Sequence, residues 1–421
     1  MSLNAEQQFA VESMAQFLKT PNQSFYLLKG SAGTGKTYCM KHLAELVKGR
    51  LIFTAPTNKA TKVLRDSMTT ESYRPQCKTI YSLLGLRLEA NGEVKELAHP
   101  EEEVDLTQFA AVVVDEASMV NAVLWNFIQE VSETQGVKFI FMGDPAQIPP
   151  VGEERSVIWD KCDVVCELSK VMRYDNQILK LATHLRSQVD HHTPSFKRAI
   201  DNDGTEGVWV LPSSTFEAAI IDYARDDKFS EKNCAKVIAW RNATVDSYNK
   251  LVRSYIFDNA HECPWLVGDR LILMQPAKDV EDKPIASTDD EGTVTRVIDG
   301  FHHSYREFQV RYLSVTLDEN RPITLCVLHE NSASAFARYE KSLAEEARLD
   351  RRKWKAFWQF KESFHTVRHA YAVTSHRAQG STYESVFVDW RDILLNRNRQ
   401  EAFRCLYVAC TRAKKQLMLG A

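Results

Sequence analysis

The first third of the chain alternates short apolar runs with helical patterns. FYLLKG (25–30), RLIFTAPT (50–57), AAVVVDE (110–116) and VKFIFMGD (137–144) each end in a turn or a polar residue. Apolar runs of this length read as strands buried on both faces. Between them, Leu124, Phe127, Ile128 and Val131 fall on one helical face of residues 121–133. This rhythm predicts a doubly wound parallel sheet, in which ligands sit at the carboxyl ends of strands. The polar strand endings then point at one crevice.

Residues 86–106 interrupt the rhythm. They are acidic, lack a strong helical period and predict a small hairpin around Asn91-Gly92. A second α/β rhythm starts near residue 166, with strand signals at AKVIAW (235–240), SVFVDW (385–390), FRCLYVA (403–409) and QLML (416–419). Val245, Tyr248, Val252 and Tyr255 predict a helix after the first of these. Residues 266–330 alternate apolar and polar with turn signals at DDEG and DENRP, which predicts a small β-barrel. Residues 332–365 lack Gly and Pro and carry Trp354, Phe357 and Trp358, predicting one or two projecting helices whose aromatics pack in the insertion or touch a ligand. The expected organisation is an α/β lobe of residues 1–85 and 107–165, a hairpin of 86–106, a second lobe of 166–265 and 366–421, and an insertion of 266–365.

Composition narrows the class. The chain has 421 residues, enough for several domains. It has no run of about 18 apolar residues, so no membrane span is expected. The start MSLNAEQQ lacks the order of a secretory signal. Its nine cysteines include no C-x-x-C pair, which predicts reduced thiols in a cytoplasmic protein, or in the host cytoplasm if the source is a phage. A net charge of −3 is not the footprint of a protein that coats duplex DNA, although a narrow groove remains compatible with it. Basic density is local, at RLDRRKWK (348–355) and TRAKK (411–415).

The chemistry begins at GSAGTGKT (30–37). Gly30, Gly33 and Gly35, with Thr34 between them, let backbone N–H groups close on phosphate oxygens. Lys36 would reach the β and γ phosphates, and Thr37 offers a hydroxyl to Mg²⁺. AVVVDEAS ends a buried strand in Asp115 and Glu116. One carboxylate there would hold the metal and the other would orient or deprotonate water. Gln147 in FMGDPAQIPPV could touch the γ phosphate, or the segment is an ordinary proline turn. Arg173 in LSKVMRYD and Arg412 in LYVACTRAKK could neutralise charge on a transferred phosphoryl group.

In order, GSAGTGKT, TAPTNKAT, KTIYSLL, VVVDEASM, GDPAQIPPV, LSKVMRYD, AWRNATVDSYN, TSHRAQGST and LYVACTRAKK resemble the motif series of superfamily 1 helicases, most closely the RecD-like (1B) branch. The similarity covers almost the whole chain. It implies two RecA-like lobes with ATP and Mg²⁺ between them, an SH3-like barrel with a helical piece in the second lobe, and single-stranded DNA across the lobe tops. It also implies 5′-to-3′ movement, a DNA fork with a 5′ tail as substrate, single-strand-binding or replication proteins as candidate partners, and a monomer. Residue by residue, Gln7 resembles the glutamine that reads adenine, although with Asn4 it also fits a capping box. Gly380 resembles a backbone contact to phosphates, and Tyr174 a ring beside the base. Pro56, Thr57, Thr79, Tyr81, Asn242, Thr374 and His376 resemble strand contacts, and Trp240 is either a base stacker or a core residue.

Two departures matter. Tyr81 stands where relatives commonly have His. No Phe, Tyr or Trp lies between Tyr81 and Phe109, whereas the hairpin of such enzymes carries an aromatic wedge. Leu97 or His99 would have to split the duplex. The alternative expectation is therefore a translocase that displaces bound proteins and unwinds weakly.

Overall fold

The computed structural model describes residues 3–47, 50–71, 73–91, 94–98, 104–170, 177–188, 196, 198–200 and 204–420. The first helix, Ala5–Lys19, begins where the sequence offers Asn4 followed three residues later by Gln7. Both halves of the capping box form. Strands β1 (Phe25–Gly30), β2 (Leu51–Ala55) and β3 (Gln76–Thr79) follow, then a hairpin of β4 (Arg87–Asn91) and β5 (Val94–Ala98), then β6 (Ala111–Val114), β7 (Phe139–Gly143) and β8 (Val164–Leu168). All but the hairpin join one six-stranded sheet of order β3-β2-β6-β7-β1-β8, and every pairing in it is parallel. Apolar clusters cover both faces. The helix Ala122–Gln135 is capped by Asn121 and stopped at Gly136, whose φ of 67° suits a residue without a Cβ.

The second sheet is built from β9 (Ala199–Ile200), β10 (Gly207–Leu211), β11 (Ala235–Ala239) and, after a long insertion, β19 (Ala372–Thr374), β20 (Tyr383–Asp389) and β21 (Ala413–Gly420). Its order is β19-β11-β20-β21-β10-β9, parallel except at β9. Two parallel-sheet lobes of RecA-like form thus occur as expected. The insertion contains β12 (Arg270–Leu273), a ribbon of β13 (Ala277–Lys278) and β14 (Pro284–Ala286), then β15 (Glu291–Phe301), β16 (Gln309–Leu317), β17 (Pro322–Leu328) and β18 (Val367–His369). Strands β17-β16-β15-β12-β18 form an antiparallel sheet where the sequence predicts the barrel. Helices Ala333–Leu349 and Trp354–Glu362 project from it, with Trp354 and Phe357 buried against Ala347 in the insertion's own core.

Two expectations are corrected. FRCLYVA is not a strand: it lies in the helix Arg399–Cys410, capped by Asn398 and buried along almost its whole length. A short apolar run buried all round carries no period that separates strand from helix. The proposed lobe boundary at 165/166 cuts β8, which pairs with β1 in the first sheet. No described helix is long and apolar enough to cross a membrane.

A buried ion pair ties the root of the insertion to the second lobe. Arg253 Nε donates to both oxygens of the fully buried Asp269, at 2.9 and 3.1 Å, and its other nitrogens cap the Ala260 and Cys263 carbonyls. Tyr371 donates to the same carboxylate at 2.9 Å. Removing one partner would strand a buried charge. Arg253→Met is therefore expected to destabilise the protein by about 3–5 kcal/mol, read as a lowered midpoint in urea unfolding.

Candidate nucleotide cleft and nucleic-acid groove

The phosphate-binding loop leaves β1 between β7 and β8. Its geometry demands glycine: Gly33 and Gly35 have φ of 80° and 89°, and a Cβ on Gly35 would lie 2.4 Å from Gln7 Nε2. Gly35 caps the helix Lys36–Leu46, placing Lys36 and Thr37 in its first turn. Lys36 Nζ donates to the loop carbonyls of Gly30 at 2.6 Å and Ser31 at 3.1 Å, so its ammonium lies over the loop. Thr34 hydroxyl braces the loop on Ser31 O at 2.9 Å.

Gln7 is placed as a brace. Its Oε1 accepts from Asn4 N at 3.1 Å and its Nε2 donates to Thr34 O at 3.0 Å, with the residue 2% exposed. The capping-box alternative is realised, and it also fixes the loop.

Asp115 and Glu116 follow β6 on the same edge of the sheet. Asp115 Oδ1 accepts from Glu116 N at 2.8 Å. Glu116 has φ 50°, a left-handed conformation uncommon outside glycine and a form of local strain found at functional sites. Burial raises both carboxyls. Asp115 is held back by the Glu116 N–H and Lys36. Glu116 is pushed to about 7 by burial and by Asp115, against the pull of Arg412 and Lys36. Arg412 is thus felt at Glu116, although its guanidinium bonds Val408 O, Ser381 O and Thr411 Oγ1 within its own lobe. This donor set fits a nucleotide with Mg²⁺: a loop crossed by the Lys36 ammonium, a hydroxyl at Thr37 and two adjacent carboxyls after β6.

Sequence reasoning missed the residues that join the lobes. Asp144, fully buried at the end of β7, accepts from Tyr407 OH at 2.5 Å and Arg186 Nε at 3.1 Å, both from the second lobe. Ala32 N in the phosphate loop donates to the same Tyr407 oxygen at 3.4 Å. Gln147 Oε1 accepts from Ser118 Oγ at 3.2 Å, and Gln379 of the second lobe donates to both. Ile148, from the same proline-rich loop, is buried within the second-lobe core. Gly380 packs on Ala60 of the first lobe, where a Cβ would come within 3.0 Å. Asp144 and Tyr407 stand inside quoted motifs, but nothing in their spacing says that they meet.

The groove on the other side of this seam is a cavity of about 650 Å³, lined in part by Thr57, Trp240, Asn242, Thr374 and His376. Thr57 and Thr374 each cap a helix with their hydroxyl, so both helices start at the groove. Asn242 accepts from Arg368 at 2.7 Å. Three expected strand contacts are not in this cavity. Pro56 is buried beside it. Thr79 caps Ile80–Leu83 and lines a neighbouring cavity of about 390 Å³. Tyr81 packs against the first-lobe core, and burial raises its phenol. Leu97 is also partly buried against that core. Arg173, Tyr174 and His99 lie outside the described residues.

His376, Glu401 and Cys405 bring potential ligand atoms within 4.8 Å of one another. Burial pushes the Cys405 thiol up, which disfavours the thiolate, and a 3.4 Å His376–Glu401 contact accounts for the approach.

Two RecA-like lobes facing each other across a phosphate loop and an acid pair define a P-loop nucleoside triphosphatase. Family models agree: residues 2–204 match the AAA domain and 369–419 the UvrD-like helicase C-terminal domain. The chain is similar to superfamily 1B helicases. It is 25% identical over 426 residues to the ATP-dependent DNA helicase Dda of Enterobacteria phage T4, covering 92% of each chain. It is 23% identical over 495 residues to an uncharacterized protein of Acanthamoeba polyphaga mimivirus, covering 98% of this chain and 99% of that one. Its fold matches the Pif1 helicase of Candida albicans at a TM-score of 0.52, 15% identity and 100% and 94% coverage. Pif1 from Bacteroides, solved in complex with ADP-AlF3 and ssDNA, matches at 0.52, 16%, and 99% and 92%. These likenesses support an ATP-dependent DNA helicase.

Replacing Gln7 by Ala removes the box and the brace together. The expected result is a loss of about 1–2 kcal/mol, read as a lower thermal midpoint, with weakened binding of a fluorescent ATP analogue.

Proposed function

We propose that the protein is an ATP-hydrolysing DNA helicase that translocates 5′ to 3′ on single-stranded DNA and acts on forks with a 5′ tail. The observation that carries this reading is that cleft and groove lie along one seam. Both lobes contribute to each: Ala32, Glu116 and Gln147 meet Tyr407, Arg412 and Gln379 respectively on one side, and Thr57 faces Asn242 and Thr374 on the other. A change in the cleft therefore alters the distance between two sets of strand contacts.

In this reading Lys36 and the loop N–H groups bind the β and γ phosphates, and Glu116 orients the attacking water and takes its proton. Gln147, Arg412 and Arg173 attend the transferred phosphoryl group. Mg²⁺, held through Thr37 and Asp115, would screen phosphate charge when bound. Gln7 reads the base with the amide hydrogen that Thr34 O does not take. Gly380 keeps the turn above Ala60 tight. Pro56, Thr79 and Tyr81 flank the groove contacts and meet DNA only if the first-lobe loops shift. The protein acts as a monomer in the cytoplasm, with single-strand-binding or replication proteins as candidate partners.

A second reading, a translocase that strips bound proteins and separates strands poorly, is favoured by the hairpin. Its one described wedge candidate, Leu97, is partly buried and not aromatic.

Steady-state ATPase activity should rise strongly with single-stranded DNA, and Glu116→Gln should lower the stimulated rate by about 10²–10⁴-fold. Absence of stimulation would overturn the motor. Unwinding of a 5′-tailed but not a 3′-tailed duplex is expected. ATPase stimulation with protein displacement but no unwinding would select the second reading.

A further inference from the structure

We propose that Gln379 is the positioning residue that couples the nucleotide cleft to the nucleic-acid groove, an inference that rests on the helicase reading above. Gln379 lies at the junction of the two sites. It follows the short helix Ser375–Ala378, whose start holds Thr374 and His376 at the groove. Its side chain crosses the seam in the other direction. It is 6% exposed, and its Nε2 donates to Ser118 Oγ at 3.2 Å and Gln147 Oε1 at 3.4 Å. Ser118 stands two residues after Glu116 in the turn Ala117–Met119, and Gln147 stands three residues after Asp144.

The donor and acceptor inventory gives this trio a direction. Gln379 Nε2 is a donor only, so the Ser118 hydroxyl accepts from it and donates its own O–H to Gln147 Oε1, at 3.2 Å. Gln147 Oε1 is then filled from two sides. Its amide orientation is fixed, and its NH₂ group is left for an acceptor elsewhere, such as a phosphate oxygen. The trio is buried, where an unmade hydrogen bond is expensive. If the groove contacts move Gln379, Gln147 and Ser118 must either follow it or lose their partner. The strand beside Thr374 and His376 is thereby connected to the orientation of one amide beside the acid pair. A residue that only filled space there would need no donor.

Coupling of this kind is measured by linkage: the factor by which a nucleotide changes DNA affinity equals the factor by which DNA changes nucleotide affinity. The experiment is fluorescence anisotropy of a labelled oligodeoxythymidylate bound to the full chain, with and without Mg²⁺ and a non-hydrolysable ATP analogue. The ratio of the two Kd values is the coupling factor, expected at about 5–150-fold in the wild type. In Gln379→Met, which keeps length and volume but not the donor, the factor should fall to within about twofold of one. Ser118→Ala should act in the same direction through a smaller change. The double variant should be no worse than Gln379→Met alone, because that variant already removes both the direct contact to Gln147 and the one through Ser118. A factor retained in both single variants would overturn the proposal alone. So would a factor retained while both Kd values rise together, since that marks Gln379 as packing or as a strand contact. A factor of one in the wild type would overturn the proposal and the helicase reading together.

Discussion

The organisation of the protein depends on how buried charge is satisfied across the two lobes. Asp144 is fully buried at the end of a first-lobe strand, yet its Oδ2 partner and one of its two Oδ1 donors come from the second lobe. A carboxylate in that position without Tyr407 and Arg186 would incur the desolvation cost of an unpaired ion. The lobes therefore meet through specific polar partners. An apolar residue also crosses: Ile148 enters the second-lobe core. A polar seam suits a joint that must open and close, because water can replace hydrogen bonds when it opens.

The same logic extends to the insertion. Glu291, at the start of β15, is buried, which alone would raise its carboxyl. Lys236, Lys59 and Arg270 more than offset this and hold it well below the usual range. Lys59 comes from the first-lobe helix Asn58–Met68 and also donates to Tyr383 at 3.0 Å. First lobe, second lobe and antiparallel sheet thus share one carboxylate. Lys59 also borders the groove.

Much of this was legible in the residues. Parallel strands buried on both faces announce themselves as apolar runs, and the phosphate loop as glycines between a strand and a helix. The hairpin was readable from Asn91-Gly92. FRCLYVA was not, because burial on all sides erases the helical period. Gln7 offered two readings, and only the loop position, with Thr34 O above its amide, shows the brace. Tyr407, Arg186 and Gln379 could not be assigned because their partners are between 42 and 375 positions away, on the other lobe, and no local pattern encodes that meeting. Tyr81 and Thr79 sit in a motif associated with strand contact, yet ring burial and a helix cap turn them from the groove.

The order of strands in the second sheet also bears on how the chain acquires its structure. The first sheet uses only residues up to Leu168. The second seats β21 (Ala413–Gly420) between β20 and β10, beside a strand made some two hundred residues earlier. During synthesis the first lobe can fold while the rest is still being added, whereas β10 and β11 wait with their apolar faces uncovered until the last strand arrives. The antiparallel insertion forms in that interval from hairpins local in sequence. Its tether to Asp269 and Arg253 then holds β11 and β19 near each other, shortening the loop that the late strand must close.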